Sequence, residues 1–242
     1  MSDVVKLKEL PTDRLLELAF AAYRVNNGYK KETRRHSEDQ PTVYNNKEIV
    51  VYSAAHYNQY NEKDSVLKTW IPSDFIPVKV TDEDRAALEK AHKHMRRYVM
   101  LALGNLNDFQ RDVFTAYSRE STPMNQIGLI AYLPEFVERE LHDKMYKERL
   151  KKEFAESKYF ENKVDGNVEI LKVIPVSKDF EQPFYMHFGA INGNLICFAR
   201  KEAFAVGNVY VITAKVKGRD KERETGLPMT RVNYVKLKST EF

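Results

Sequence analysis

Hydrophobic and polar positions along the chain follow two different periods, with a change near residue 163. Before it, apolar residues recur at three- and four-residue spacing, which is typical of helices that bury one face. The first such segment runs from Asp13 to Asn27, with Thr12 as its predicted N-cap and Gly28 as its stop. Further helices are predicted from Asn46 after an Asn45 cap, from Asp82 to the region of Gly104 after a Thr81 cap, from Leu106 to Tyr117, and from Glu135 after Pro134.

After residue 163, short runs rich in β-branched and aromatic residues recur. They are NVEILKVIPV, PFYMHFGAI, NLICFARK, VYVITAKVK and MTRVNYVKLK. Asn192-Gly193, between the second and third runs, predicts a two-residue hairpin turn. Because the connections are too short for crossover helices, the five runs predict a small antiparallel barrel or sandwich, and the barrel is the fold that we expect. The predicted fold class is therefore α+β, with a mainly helical region at 1–160 and a five-stranded antiparallel β-barrel at 163–242.

The composition is that of a globular protein with a charged surface, since 43% of the 242 residues are hydrophobic and 31% are charged. No apolar run approaches the ~20 residues that span a bilayer, and the first residues lack the apolar core of a secretory signal. Cys197 is the single cysteine, so no internal disulfide can form, and its apolar neighbours predict a buried thiol. These features predict a cytoplasmic protein without a membrane partner.

Net charge is distributed unevenly along the chain. The segment from Lys163 onwards carries thirteen Lys and Arg against nine Asp and Glu, whereas 26 residues of each sign precede it. The whole excess of +4 therefore lies in the last third of the chain. This asymmetry indicates where an anionic partner would bind.

The last third also carries a recognisable arrangement of residues. An aromatic and a basic residue share one strand, a glycine marks the next turn, two lysines alternate at a strand end, and a Thr-Arg pair opens the last strand: Phe198 and Arg200, Gly207, Lys215 and Lys217, and Thr230-Arg231. In these features the chain resembles the OB-fold module of phage-type single-stranded DNA-binding and replication proteins, over roughly residues 163–238. The resemblance implies an OB-like barrel and a viral, phage-encoded protein. It also implies single-stranded DNA as ligand and a role in DNA replication, recombination or transcription.

A single-strand binder needs positive charge along the phosphates and exposed rings that stack on bases. On the fourth run, alternation assigns Ile212 and Ala214 to the core and Lys215 and Lys217 to the outer face. On the second run, Phe184, Met186 and Phe188 form the more apolar set and are assigned to the core. The predicted nucleic-acid-binding residues are Tyr185, His187, Phe198, Arg200, Lys201, Lys215, Lys217, Arg219, Arg231, Tyr234 and Lys236.

For some of these residues a structural role is the alternative. Phe198 and Tyr234 also fit core positions, and Lys236 also fits the protection of an edge strand. The loop after Lys217 carries both signs of charge, so the strand lysines are the stronger candidates.

Catalytic motifs are missing from the sequence: it has no P-loop, no G-x-G-x-x-G, no G-x-S-x-G and no cysteine pair for zinc. We therefore expect a non-enzymatic protein that needs no cofactor or metal. Two other functions stay open. One is a protein–protein adaptor or transcription cofactor that recruits a polymerase, and the other is a metal-dependent nuclease built from distant carboxylates. The helical region is expected to contact a polymerase or another replication or transcription protein, or to mediate self-association into a homo-oligomer.

Overall fold

The structure is a computed structural model that describes residues 10–34, 41–61, 71–101, 106–176 and 184–238. The chain divides into two compact units, Met1–Glu140 and Leu141–Phe242. The division lies within a long helix, before the predicted change at 160–163, and the first barrel strand begins at Lys163.

The first unit is mainly helical, as predicted. Its helices are α1 (Thr12–Val25), α2 (Asn46–Asn61), α3 (Asp82–Leu101), α4 (Asp108–Tyr117) and the first half of α5 (Ile127–Glu153). A two-residue pairing of β1 (Leu10–Pro11) with β2 (Ser121–Thr122) and a 3-10 turn at Met124–Gln126 complete its elements in the described part. Helix α1 packs against α2 and α3 through a nearly continuous buried face that includes Leu15, Leu16 and Leu18.

The helix starts follow the predicted capping residues in two of three cases. The Asn45 side chain accepts the Glu48 N–H at the start of α2, and Thr81 and Asp84 bond reciprocally at the start of α3. The prediction for Thr12 is wrong. Helix α1 already includes Thr12, and its hydroxyl is bonded to that of Thr122 at 2.8 Å, which joins α1 to β2.

Helix α5 begins earlier than its sequence suggests. Pro134 was expected in the first turn, but it lies inside a helix that starts at Ile127. The residues before it are mostly apolar, and Ile127, Ile130 and Leu133 among them are fully buried. Burial of this apolar stretch outweighs the loss of one helical N–H at Pro134.

The second unit is a closed five-stranded barrel. Its strands are β3 (Lys163–Pro175), β4 (Tyr185–Ile191), β5 (Asn194–Arg200), β6 (Val209–Lys221) and β7 (Pro228–Leu237), and they follow each other around the barrel as β3-β4-β5-β7-β6. The neighbours β6-β3-β4-β5 form a Greek key, in which the fourth strand returns beside the first. All five predicted runs are strands, and Asn192-Gly193 is the predicted turn, with positive φ at both residues.

The prediction of a purely antiparallel barrel is wrong, because β5 and β7 are parallel, with Leu195 opposite Met229 and Cys197 opposite Arg231. The reason is topological. Alternating strand directions cannot close around a ring with an odd number of members, so a closed five-stranded barrel must contain a parallel pair. Here the parallel pair lies where β7 inserts between β5 and β6.

Candidate nucleic-acid interface

The outer side of β4 and β5 is covered by the protein's own helix. In the second unit, α5 places Tyr146, Leu150 and Phe154 against the barrel. The strand residues beneath them are Met186, Phe188, Ala190, Leu195, Cys197 and Met229. Ion pairs fasten the same helix, with Arg149 bidentate to Glu169 at 2.7 and 2.8 Å. This face of the barrel is therefore closed to a ligand.

Two predicted site residues on these strands lie in the barrel interior. His187 is 0% exposed and Phe198 is 1% exposed, and their rings stack with centroids 4.9 Å apart. The assignment of both rings to an exposed face is wrong. Because α5 covers the opposite face, Met186 and Phe188 are the outward residues of β4, and His187 points inward. The alternative of a core position for Phe198 is the one that the structure supports.

His187 has a structural role at the end of the barrel. Its Nε2 accepts the Phe204 N–H at 3.0 Å, and Phe204 stacks in turn on Tyr210. Burial lowers the pKa of His187 below its usual value, because the charged imidazolium would lose its hydration. The neutral ring thus fixes the connection between β5 and β6.

Three more predicted residues lie at the same end of β4 and β5, away from the strand lysines. Tyr185 is half-buried opposite Arg200. The Arg200 guanidinium stacks 4.9 Å over the Phe204 ring and pairs with Glu202 at 3.4 Å. Lys201 is exposed in the following connection. Arg200 is therefore occupied by contacts within the protein.

Most of the remaining predicted residues lie on the outer side of β6 and β7. Arg219 does not, because it pairs with the buried Thr230 and faces the inner side at the end of the barrel. Ile212 and Ala214 are buried in the barrel, as predicted, and the alternate side chains of β6 face outward. We call the following exposed residues of β3, β6 and β7, together with Lys238 directly after β7, the basic face: Lys163, Lys215, Lys217, Arg231, Tyr234, Lys236 and Lys238. Within the described part of the chain, Lys215, Lys217 and Lys236 have no acidic partner within ion-pair distance.

Two bulges shape this face. On β6, Lys217 is an extra residue between Val216 and Gly218, which pair with Val232 and Arg231. On β7, the step from Asn233 to Lys236 faces a shorter step on β6, and Tyr234 lies in this bulge. Tyr234 has a φ of 52° and is 74% exposed, so the alternative of a core position for its ring is wrong. The bulge turns the ring into solvent among the lysines.

Like charges are neighbours on the basic face. Lys163 of β3 lies directly opposite Lys215 of β6, an arrangement that destabilises a sheet unless an anion compensates it. One carboxylate, Asp165, binds Lys163 at 2.9 Å and also accepts a hydrogen bond from Lys238. These two bonds, with Lys238 the larger contributor, lower the pKa of Asp165 to about 2. Asp220, exposed on β6 opposite Met229, is a second carboxylate on this side of the strands, and the lysines with Arg231 still outnumber the two acidic groups.

The connection between β6 and β7 is held in one conformation. The buried Glu222 carboxylate accepts the N–H groups of Glu224 and Thr225 at 3.0 and 2.7 Å, together with the Thr225 hydroxyl. Glu224 pairs with Lys147 of α5 at 2.6 Å. The acidic residues of this loop are thus used within the fold. Arg219, at the end of the barrel, lies 5.5 Å over the ring of Tyr159.

Sequence reasoning missed Lys163, Asp165 and Lys238 as members of this surface, and Tyr159 as the ring that Arg219 contacts. Lys163 and Asp165 precede the run that predicted β3, and their alternation with the buried Val164 was the signal that could have extended that strand. Lys238 follows Lys236 at two-residue spacing, so alternation places both on one side of the last run, although Lys238 is not among the predicted site residues. Tyr159 lies in the connection between α5 and β3, for which the sequence carries no periodic signal.

Other kinds of site are not evident in the described ranges. No group of three or more His, Cys, Asp and Glu residues there could hold a metal ion. None of the helices in these ranges combines the length and apolar character needed to cross a bilayer. No protein-family model, curated protein or solved structure matches this chain.

Proposed function

We propose that the protein is a non-enzymatic, phage-type single-stranded DNA-binding protein that acts in DNA replication, recombination or transcription, and that its basic face binds the strand. The observation that carries this proposal is the basic face, where five lysines and Arg231 outnumber the two exposed carboxylates, Asp165 and Asp220. A phosphate backbone supplies the distributed negative charge that such a surface lacks.

The barrel itself supports the proposal. A five-stranded Greek-key barrel is the architecture of the OB fold, which commonly binds oligonucleotides on its second and third strands. In this chain α5 covers those strands, β4 and β5. We therefore propose that the ligand is bound on the first, fourth and fifth strands, β3, β6 and β7, instead.

We propose that the helical unit binds a polymerase or another replication or transcription protein. Ile76 is 83% exposed there, next to a cluster of edge-to-face rings formed by Tyr44, Tyr52 and Phe75. An apolar side chain beside aromatic rings is typical of protein-binding surfaces.

The test is fluorescence anisotropy of a labelled single strand of about 30 nucleotides, long enough for several OB-sized sites. The intact protein is compared with the double variant Lys215→Ala/Lys217→Ala at several salt concentrations. Loss of two phosphate contacts should reduce the salt slope by about 1.4, which corresponds to roughly 25-fold weaker binding at 0.1 M salt. Lys151→Ala/Lys152→Ala, which removes the same charge from exposed positions on α5, should bind like the wild type.

Several outcomes would contradict the proposal. Binding that is absent at low salt would favour the adaptor function, with the helical unit as bait in a partner search. An equal loss in both double variants would mean that net charge, and not the basic face, determines affinity. Cleavage of the strand after addition of Mg²⁺, abolished by chelation, would identify a nuclease.

A further inference from the structure

We propose that the basic face contains a defined site for one nucleotide, in which an unpaired base stacks on Tyr234 and the phosphates on either side contact two separate groups of lysines. This inference rests on the proposed function and adds to it a ligand feature that charge alone does not require, namely an exposed base. It also assigns to Tyr234 the selection of single strands over duplex.

The strand register places the lysines in two rows across the barrel. Lys163 of β3, Lys215 of β6 and Asn233 of β7 form the first row. Asp165, Thr213 and Lys236 form the second row, and Lys238 reaches it through its bond to Asp165. Neighbouring rows on one face are two residues apart, which is about 6.6 Å along a strand. This spacing is of the order of one nucleotide step in an extended single strand.

Tyr234 lies between these rows. The extra residue on β7 falls between Asn233 of the first row and Lys236 of the second, and Tyr234 occupies this bulge. A base that stacks on the ring would therefore have one flanking phosphate near Lys163 and Lys215. The other flanking phosphate would lie near Lys236 and Lys238.

The positive φ of Tyr234 belongs to the bulge of β7, and the unexpected feature is the aromatic residue type at this position. An aromatic residue with positive φ is sterically disfavoured, and residues in such conformations are concentrated at functional sites. Burial of the ring offsets little of this steric cost, since Tyr234 is 74% exposed. Glycine or asparagine would fit this backbone with less strain. An aromatic ring held outward among lysines is instead suited to a planar ligand with adjacent negative charge.

The chemistry of stacking restricts the ligand to unpaired bases. In a duplex, each base is already stacked and its faces are covered, so that Tyr234 could reach only the backbone. In a single strand, any base can rotate outward and present a face, which makes the contact tolerant of sequence. The lysine rows alone would bind both kinds of nucleic acid.

The experiment compares two labelled single strands of about 16 nucleotides, the upper end of the site size of one OB fold. One is oligothymidylate, and the other has the same phosphates but abasic sugars. The intact protein is measured with Tyr234→Gly, whose backbone accepts the positive φ, and with Tyr234→Phe, which keeps the ring. Tyr234→Gly should bind oligothymidylate about tenfold or more weakly, and abasic DNA as tightly as the wild type. Tyr234→Phe should retain both affinities, and the salt slope should be the same in all three proteins.

Two results would overturn the inference. In the first, Tyr234→Gly binds oligothymidylate as the wild type does. In the second, it loses equally on both strands, which would assign Tyr234 a role in backbone contacts or in the shape of the face. Failure of the proposed function looks different, since the wild type would then bind neither strand at low salt. A folding defect would be visible in the far-ultraviolet circular dichroism of each variant.

Discussion

The two outer faces of the barrel differ in what covers them. On β4 and β5, apolar side chains lie under α5, with Leu150 fully buried at the centre of the contact. On β6 and β7, the outward positions carry exposed lysines, Arg231 and Tyr234, together with Asp220. The same barrel therefore has one face that stabilises the unit by burial and one face that is left to solvent and charge.

The difference between the two faces is visible in the strand sequences once it is known that α5 covers β4 and β5. In β5, Leu195 to Phe198 is a continuous apolar run, as expected for a strand that is buried on both faces. In β6, apolar and basic residues alternate, as expected for a strand with one open face. Phe198, a predicted binding ring, lies within the continuous apolar run of β5. Such a run is better interpreted as a strand that is buried on both faces.

The largest expected effect comes from the covered face. Leu150→Ala should reduce the free energy of unfolding by about 3 kcal/mol, because it removes a fully buried side chain and leaves a cavity under α5. The measurement is urea unfolding followed by circular dichroism, with the exposed neighbour Lys151→Ala as the control. At urea concentrations too low to unfold the variant, its affinity for nucleic acid should equal that of the wild type. A Leu150 variant with wild-type stability would mean that α5 does not hold this face closed.

The sequence was sufficient to predict the helices and strands. It was less informative about which face of each strand is directed inward. Helices and strands follow from local periodicity, and the Asn192-Gly193 turn from backbone preference. The orientation of β4 could not be predicted, because both of its faces are apolar or aromatic and the cover by α5 is a tertiary contact. The parallel pairing of β5 with β7 depends on closure of the ring, which no local pattern encodes.

Part of the candidate site was predictable. The prediction that Lys215 and Lys217 lie on the outer face of β6 is confirmed, because apolar core residues alternate with them along the strand. On β7 the inward residues Val232 and Val235 are three apart, which breaks the alternation and was the available signal for the bulge at Tyr234. The pairing of Asp165 with Lys163 and Lys238 brings together positions from both ends of the barrel sequence, so only the fold could show it.

A smaller effect is expected from the barrel interior, where buried His187 should make the free energy of unfolding depend on pH. A neutral His187 with a lowered pKa contributes stability that is fully present above the unfolded value of about 6.5 and is lost as the pH falls below it. Between pH 7.5 and 5.5 the free energy of unfolding should fall by at most about 1.4 kcal/mol, because the unfolded chain then binds more protons at this position than the folded chain does.

Urea unfolding at the two pH values measures this loss, and His187→Gln is the comparison. Its amide oxygen can accept the Phe204 N–H, but the side chain does not titrate. The variant should lose less stability on acidification than the wild type. If the free energy of unfolding depended on pH equally in the two proteins, His187 would be exposed, as the sequence suggested.

The smallest expected effect, and one of opposite sign, comes from Asp165, an acidic residue on the open face. Asp165→Asn releases Lys163 and Lys238 from their carboxylate and removes a negative charge from the path proposed for the phosphates. Because the low pKa of about 2 keeps Asp165 ionised in ordinary buffers, this competition is present in the wild type at any practical pH.

One additional phosphate contact should strengthen binding of a single strand about fivefold at 0.1 M salt and steepen the salt slope by about 0.7. Anisotropy titrations measure both quantities. Glu202→Gln makes the same change in net charge at an exposed position next to Arg200, outside the basic face, and should leave the slope unaltered. If Asp165→Asn weakened binding, the carboxylate would be needed to position its two lysines. The open face would then act as an ordered site in which one acidic residue sets the geometry, and not as a layer of positive charge.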